Sequence, residues 1–238
     1  MPPAAPRSSA DPRRFYTVVA FGLLLVVFAG FFRTYFFAPL FYKDTLPLVV
    51  HAHGAVMTAW YLLFMVQVRL AASRRLSLHR TLGLASLALA SLVVVLGTLV
   101  SLKLAGDRLR HDPASPEGPF LLGIQLFAIL VPFVVLYGAG LLTRRKPEVH
   151  RRLMALAMFS TLGPAVVRLP FIPNHNIPLG IGVTLGILLS YVAADVVASR
   201  KLHKATLLGA ALIITATFAG AAFSGTSPWI GLVRRLML

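Results

Sequence analysis

Cysteine is absent from this chain of 238 residues. Its absence excludes disulfide bonds, thiolate metal sites, iron–sulfur clusters and a cysteine nucleophile. Three motifs of soluble enzymes are missing as well: a phosphate-binding glycine loop, the H-E-x-x-H zinc pair and the serine of a nucleophile elbow. Enzyme classes that depend on these residues are therefore disfavoured.

Acidic residues are scarce, since the chain has 7 Asp and Glu against 23 Lys and Arg and a formal net charge of +16. The basic residues fall in short clusters between apolar runs, where they would meet anionic lipid headgroups. We therefore expect no nucleic-acid partner. Only Asp195 lies inside an apolar run. A carboxylate-bridged dimetal centre needs several such acids, so it is not expected either.

Long polar segments are also lacking, and apolar runs of about 20 residues recur along the chain, a pattern typical of membrane-spanning helices. The sequence predicts an all-α, polytopic helical membrane bundle in contact with the lipid bilayer. We expect a disordered tail over residues 1–14, a seven-helix domain over 15–227 and an interfacial tail over 228–238. The seven predicted helices are Phe15–Phe37, Leu48–Ala71, Thr81–Leu102, Phe120–Leu142, Leu153–Leu169, Leu179–Ser199 and Ala205–Phe223.

The distribution of basic residues predicts the orientation of this bundle. With the N-terminus in the cytoplasm, 14 of the 23 Lys and Arg residues fall in inner segments and 6 in outer segments. Short cytoplasmic loops are the ones enriched in Lys and Arg. We therefore expect the N-terminus inside and the C-terminus outside, in a bacterial inner membrane.

Histidines at the ends of the predicted helices are the main functional signal. On the predicted topology the outer set consists of His51, His53 and His175, with Arg168 nearby. The inner set, beside basic residues, consists of His79, His150 and His203. Neutral imidazole binds iron, copper and zinc, and helical bundles build such sites from facing helices. We expect these residues to bind haem b or a transition metal ion, with the outer three as candidate metal ligands.

The spacing of the outer pair limits this hypothesis. His51 and His53 are two residues apart, so on a helix they point to nearly opposite sides and do not easily share one ion. Gly54 beside His53 would leave room for a flat ring. His175, in a turn bounded by prolines, could close over the same site.

A structural role remains open for each of these residues. Histidines beside Arg or Lys at the inner face could serve topology alone, and the basic charge there favours an anion, such as haem propionates or a lipid phosphate, over a bare cation. Arg168 could bind a carboxylate or propionate, or it could snorkel to the headgroups. Asp195 could form an ion pair or act in a proton relay, with an inner histidine or Arg69 as its partner.

Three short motifs carry a resemblance to known proteins. The second and third helices read H-x-H-G-x-x-x-T-A-W from His51 and L-H-R-x-L-G around His79, and His150 opens H-R-R-L-M. Over residues 51–154 the chain resembles uncharacterised bacterial multi-pass membrane proteins, and more distantly small haem-associated families such as b-type transmembrane cytochromes and oxidase-assembly proteins. The distant resemblance implies paired histidines on facing helices.

The leading functional hypothesis is thus an integral inner-membrane protein that binds haem or a transition metal through histidines at helix ends. Its role would be electron transfer or assembly of a respiratory complex. The alternative is a cofactor-free small carrier, or an accessory subunit of a larger membrane complex. That alternative depends on small-residue helix faces and on the polar residues Gln67, Gln125 and Asp195.

Overall fold

The computed structural model describes residues 12–43 and 45–238. Most of the predicted disordered tail, residues 1–11, lies outside this range. Residues 12–14 already belong to the first helix, which begins at Pro12. Proline favours the first position of a helix because its ring fixes a helical φ and its missing N–H group would have no helical partner there.

The described part of the chain is built from helices joined by short turns. The α-helices are α1 (Pro12–Phe31), α2 (Ala38–Phe41), α3 (Leu48–Ala72), α4 (Leu76–His111), α5 (Glu117–Gly123), α6 (Val131–Leu142), α7 (Pro147–Ser160), α8 (Gly163–Val166), α9 (Ile177–Ser199), α10 (Lys204–Ser224) and α11 (Ser227–Met237). Two π-helical segments, Phe32–Phe36 and Ile124–Leu130, continue α1 and connect α5 to α6, and a short 3₁₀ turn covers Pro173–His175.

Six of these helical stretches are long and apolar enough to cross a bilayer: Arg13–Phe36, Leu48–Ala72, Leu76–His111, Glu117–Leu142, Ile177–Ser199 and Lys204–Ser224. Large apolar side chains on them point away from the bundle, with Val18, Val197 and Leu208 all at least two-thirds exposed. Such a surface is stable where lipid is the solvent. The prediction of an all-α, polytopic membrane bundle is confirmed, whereas the number of complete spans and their orientation stay predictions.

Two predicted spans differ. The third, expected over Thr81–Leu102, is the longer helix Leu76–His111, and the fifth is interrupted. In place of a continuous helix over Leu153–Leu169, the chain forms α7 with 14 residues, a break at Thr161–Leu162, and the short helix α8. At a rise of 1.5 Å per residue α7 is only about 21 Å long, shorter than the roughly 30 Å hydrocarbon core. Its last eight residues are all buried except Met154. The helix is therefore the centre of the bundle.

The core around α7 combines aromatic packing with a hydrogen-bonded helix end. Tyr61 of α3 is 1% exposed, and its hydroxyl lies 3.1 Å from the carbonyl oxygen of Met158 and 3.0 Å from Oγ1 of Thr161. These contacts satisfy polar groups that the break in the helix would leave unpaired. Trp60 packs edge-on against Phe133 and Tyr137 of α6, at centroid distances of 5.4 and 5.3 Å.

The C-terminal residues form a helix that closes a smaller core. Val233 of α11 is 3% exposed and lies in one cluster with Leu109 and Leu122. The indole Nε1 of Trp229 donates a hydrogen bond to the carbonyl oxygen of Pro119 over 2.8 Å. The segment predicted as an interfacial tail is thus an ordered helix that packs against α4 and α5.

Candidate functional site

Two of the predicted histidines meet at the end of the bundle that carries most of the basic residues. His79 lies in the first turn of α4 and His150 in the first turn of α7. Their ring centroids are 6.3 Å apart and their planes are at 90°. Both rings are half-buried. The structure therefore brings together imidazoles from two helices that are far apart in sequence.

Hydrogen bonding fixes how the His150 ring presents its nitrogens. Its Nδ1 lies 2.8 Å from the carbonyl oxygen of Gly140, at the end of α6. Because a carbonyl can only accept, Nδ1 carries the proton and the neutral ring leaves the lone pair on Nε2. Histidines that bind a metal through Nε2 usually have this second hydrogen bond. The ring of His79 lies against the backbone of Gln67, and its buried Nδ1 makes no hydrogen bond of good geometry with the described residues.

The surface beside this histidine pair lacks a side chain at Gly83 and carries polar groups. Gly83 lies one turn after His79, and a Cβ added there would meet only Nε2 of Gln67, at 3.8 Å. Oε1 of Gln67 is buried and, within the described chain, unpaired. Met154, which lies one turn after His150 on α7, packs against Gly140 of α6. Amide and thioether groups thus lie near the two imidazoles at this end of the bundle.

His203, the third inner histidine, takes part in a different cluster. Its Nε2 lies 3.8 Å from Oε2 of Glu148, in the first turn of α7. Partial burial lowers the pKa of His203 below its ordinary value, and the charges of Arg152 and Lys201 act in the same direction. The predicted inner trio is therefore a pair, His79 and His150, with His203 placed apart from it.

Asp195 forms an ion pair, and its partner is Arg152 rather than Arg69 or a histidine. Nε of Arg152 donates to Oδ2 of Asp195 over 2.9 Å, and the Thr206 hydroxyl donates to the same oxygen over 2.6 Å. Nη1 of Arg152 also donates to Oε2 of Glu148 over 2.7 Å. Burial alone would raise the pKa of Glu148, but its hydrogen bond from Arg152 and the nearby charge of Arg151 outweigh burial, so the pKa is lowered.

The predicted outer metal ligands do not converge. His51 is exposed and its carbonyl oxygen accepts a hydrogen bond from Tyr35, while His175 lies in an exposed turn with a φ of 53°. His53 instead faces Gly97 of α4, where a Cβ would lie 3.7 Å from its Cε1. Within the described residues no three His, Asp or Glu side chains are grouped as a metal site would require.

The space expected beside Gly54 holds a ring of the protein itself. A Cβ on Gly54 would lie 2.2 Å from Cζ of Tyr35. Glycine is therefore required here by the packing of α3 against the π-helical segment Phe32–Phe36. This close approach explains the glycine without a bound cofactor.

Arg168 lies between the end of α8 and the bundle interior and is half-buried. Its Nη1 donates to the carbonyl oxygen of Pro164 over 2.7 Å, and its guanidinium lies over the ring of Phe31, 5.1 Å from the centroid. It also lines a cavity of about 220 Å³ that is shared with Gln125 and Arg108. The side chain is thus held in place at the protein interior, next to open space.

Searches of protein-family models, of curated proteins and of solved structures find no match to this chain. The resemblance of its motifs to b-type cytochromes and assembly proteins therefore stays a prediction.

Two features near this end of the bundle were not predicted from the sequence. The pairing of Arg152 with Asp195 was missed because Arg152 stands in a basic cluster that resembles a topology signal. One signal was available: Glu148 precedes Arg152 by four residues, a spacing that favours a helical ion pair. Met154 gave no signal, because methionine is an ordinary core residue.

Proposed function

We propose that this membrane protein binds haem b between His79 and His150 and serves in electron transfer or in the assembly of a respiratory complex. The observation that carries the proposal is the separation of the two rings. Two imidazoles bound to opposite sides of one iron, each at a metal–nitrogen distance of about 2 Å, would have their centroids about 6 Å apart. The observed separation is 6.3 Å.

The groups around the pair suit this ligand. The hydrogen bond from His150 Nδ1 to Gly140 supports coordination through Nε2. Beside His79, the bare face at Gly83 could accept a flat macrocycle, since an added Cβ would have no neighbour closer than 3.8 Å. Site and ligand are therefore compatible in donor type, and no side chain at Gly83 opposes a flat ring.

The electrostatic environment favours haem over a bare cation. Arg80 follows His79 directly and its charge acts on that ring. Arg144 and Arg145 lie in the turn before α7. A cluster of cations repels a free metal ion, whereas it binds the two propionates of haem through charge-assisted hydrogen bonds. These arginines, which also predict that this end of the bundle faces the cytoplasm, would thus bind the propionates of the haem.

His79 and His150 would together hold the haem, and the chemistry that a haem held by two histidines would supply here is one-electron transfer. The protein's own contribution is to fix both rings on separate helices and to hold the His150 tautomer. Such a protein needs a donor and an acceptor. A larger respiratory complex is accordingly the proposed partner.

A copper ion is the competing occupant of this site. Met154 lies one turn after His150 and packs on Gly140, so a thioether is available near the two imidazoles. Copper(I) binds both ligand types. Elemental analysis of the purified protein distinguishes this outcome from haem.

The test is a titration of the detergent-purified, haem-free protein with ferric haem b, followed by absorption. We expect one equivalent to bind as a six-coordinate species. His79→Ala and His150→Ala should each weaken binding at least tenfold. His111→Ala, on the same helix as His79 but at its exposed far end, is the matched control and should bind as the wild type does. Equal binding by all four proteins would exclude this site.

The alternative of a cofactor-free carrier draws support from one feature, the interruption between α7 and α8. Carriers often place a substrate site at a discontinuous helix. Transport in proteoliposomes that survives both histidine substitutions would favour this alternative.

A further inference from the structure

A cavity of about 220 Å³ lies at the opposite end of the bundle from the histidine pair. Its wall is formed by α4, α5, the π-helical segment Ile124–Leu130, the end of α7, α8, α9 and α10. Most lining side chains are apolar, and the polar ones include Ser160, Arg168, Gln125 and Thr184. Apolar walls with a few convergent polar groups are the usual character of a ligand site.

Irregular backbone forms part of this wall. Pro164 has no N–H group to donate to the carbonyl oxygen of Ser160, so α7 ends there, and both residues line the cavity. At membrane depth, interrupted helices are stable only where they are buried in protein or border a cavity. Across the cavity, the π-helical turn Ile124–Leu130 contributes Gln125. Single π-helical turns occur frequently at functional sites.

The charge in the cavity is positive and incompletely neutralised. Arg168 makes no ion pair with any residue that the structure describes; its guanidinium contacts the carbonyl oxygen of Pro164 and the ring of Phe31. Arg108 also lines the cavity, but its Nε lies 3.2 Å from Oε1 of Glu117. A guanidinium has five N–H donors in a planar fork that matches a carboxylate or phosphate. Arg168 therefore has donors available for an anion.

We propose that this cavity binds the anionic head of a single-chain amphiphile, a carboxylate or a phosphate, on Arg168, with the first part of its apolar chain against the apolar wall. The volume is equivalent to about seven molecules of liquid water. The cavity therefore has room for a headgroup with a short chain but not for a whole diacyl lipid. The cavity is separate from the histidine pair, so ligand binding in the cavity can be tested independently of haem binding.

The experiment measures binding of octanoate, octyl phosphate and uncharged octanol to the detergent-purified full chain by native mass spectrometry. We expect both anions, or one of them, to bind saturably and at least tenfold more tightly than octanol. Preference for octanoate identifies a fatty-acid-like ligand, and preference for octyl phosphate identifies a lipid-phosphate-like ligand. Octanol binding as tightly as the anions, or no saturable binding of either anion, would overturn the proposal.

Two variants and a control assign the site. Arg168→Gln should weaken anion binding at least tenfold, and Arg168→Lys should retain part of it. Gly163→Leu should block all three probes without removing charge, because Gly163 lines the cavity and a Cβ there meets nothing within 4 Å. Arg33→Gln is the matched control: Arg33 lies over the Phe41 ring and does not line the cavity. Unchanged anion binding in both Gly163→Leu and a folded Arg168 variant would contradict the assignment.

Discussion

Arg152 and Asp195 form a buried ion pair in the centre of the bundle, with Nε and Oδ2 separated by 2.9 Å and both side chains no more than 2% exposed. The pair connects α7 to α9, and the Thr206 hydroxyl adds α10. Three helices are therefore joined through one carboxylate. Removing it would leave a buried guanidinium with Glu148 as its remaining carboxylate contact.

The first prediction concerns this pair. Asp195→Leu should lower the free energy of unfolding by about 3–5 kcal/mol, because the buried guanidinium of Arg152 loses its buried partner and keeps only the largely exposed carboxylate of Glu148. The double change Arg152→Met with Asp195→Leu should recover much of that loss, since no charge is then buried. Thermal unfolding in detergent measures both. Ser190→Ala, at an exposed position of α9, is the control. If Asp195→Leu were as stable as this control, the structural role assigned to the pair would be contradicted.

A second prediction compares two glycines on α1. A Cβ on Gly30 would lie 2.0 Å from the carbonyl oxygen of Ala165, whereas one on Gly22 meets nothing within 4 Å. Gly30→Ala should destabilise the protein by about 1–3 kcal/mol, since α1 must move away from α8. Gly22→Ala should be neutral or slightly stabilising because alanine favours a helix. Equal unfolding temperatures for the two variants would show that α1 does not pack so closely.

A third prediction concerns acid stability. The pKa of Glu148 is lowered from its ordinary value of 4.5, with its hydrogen bond from Arg152 and the charge of Arg151 outweighing the opposite effect of burial. A carboxyl group of this kind contributes stability above its unfolded pKa and loses it as the pH falls through the folded pKa. The unfolding temperature should therefore decrease as the pH falls below about 4.5. This decrease should be smaller for Glu148→Gln. Parallel pH curves for the two proteins would exclude this contribution.

A fourth prediction follows from the orientation of the histidine rings. The planes of His79 and His150 are at 90°. If both rings held the iron in this orientation, the ferric complex would give a strongly anisotropic low-spin signal in electron paramagnetic resonance. Parallel rings would give a rhombic signal instead. A rhombic or high-spin signal at full haem occupancy would contradict coordination by this pair as the structure places it.

Most of the helix boundaries could be predicted because apolar runs and basic turns mark where a chain enters and leaves lipid. The second span, for example, was expected over Leu48–Ala71 and occupies Leu48–Ala72. The fifth was predicted wrongly as continuous. Pro164 signals a possible kink, but only packing decides whether the chain resumes a long helix or, as here, a single turn.

The candidate site could be predicted only in part. His79 and His150 were identified as functional candidates from their residue type and position at helix ends. Their pairing was not predictable, because a single sequence does not reveal which helices are neighbours in a bundle. The outer residues His51, His53 and His175 lie near one another in the predicted topology, yet helix rotation and an exposed turn point them to different surroundings.

The reduced-minus-oxidised absorption spectrum of protein purified from cells supplied with a haem precursor tests the central claim most directly. The wild type should show the sharp bands of a six-coordinate ferrous haem, and the double variant His79→Ala with His150→Ala should show none while retaining the elution volume of the wild type. His175→Ala should match the wild type. A flat wild-type spectrum, or bands that persist in the double variant, would contradict haem binding by this histidine pair.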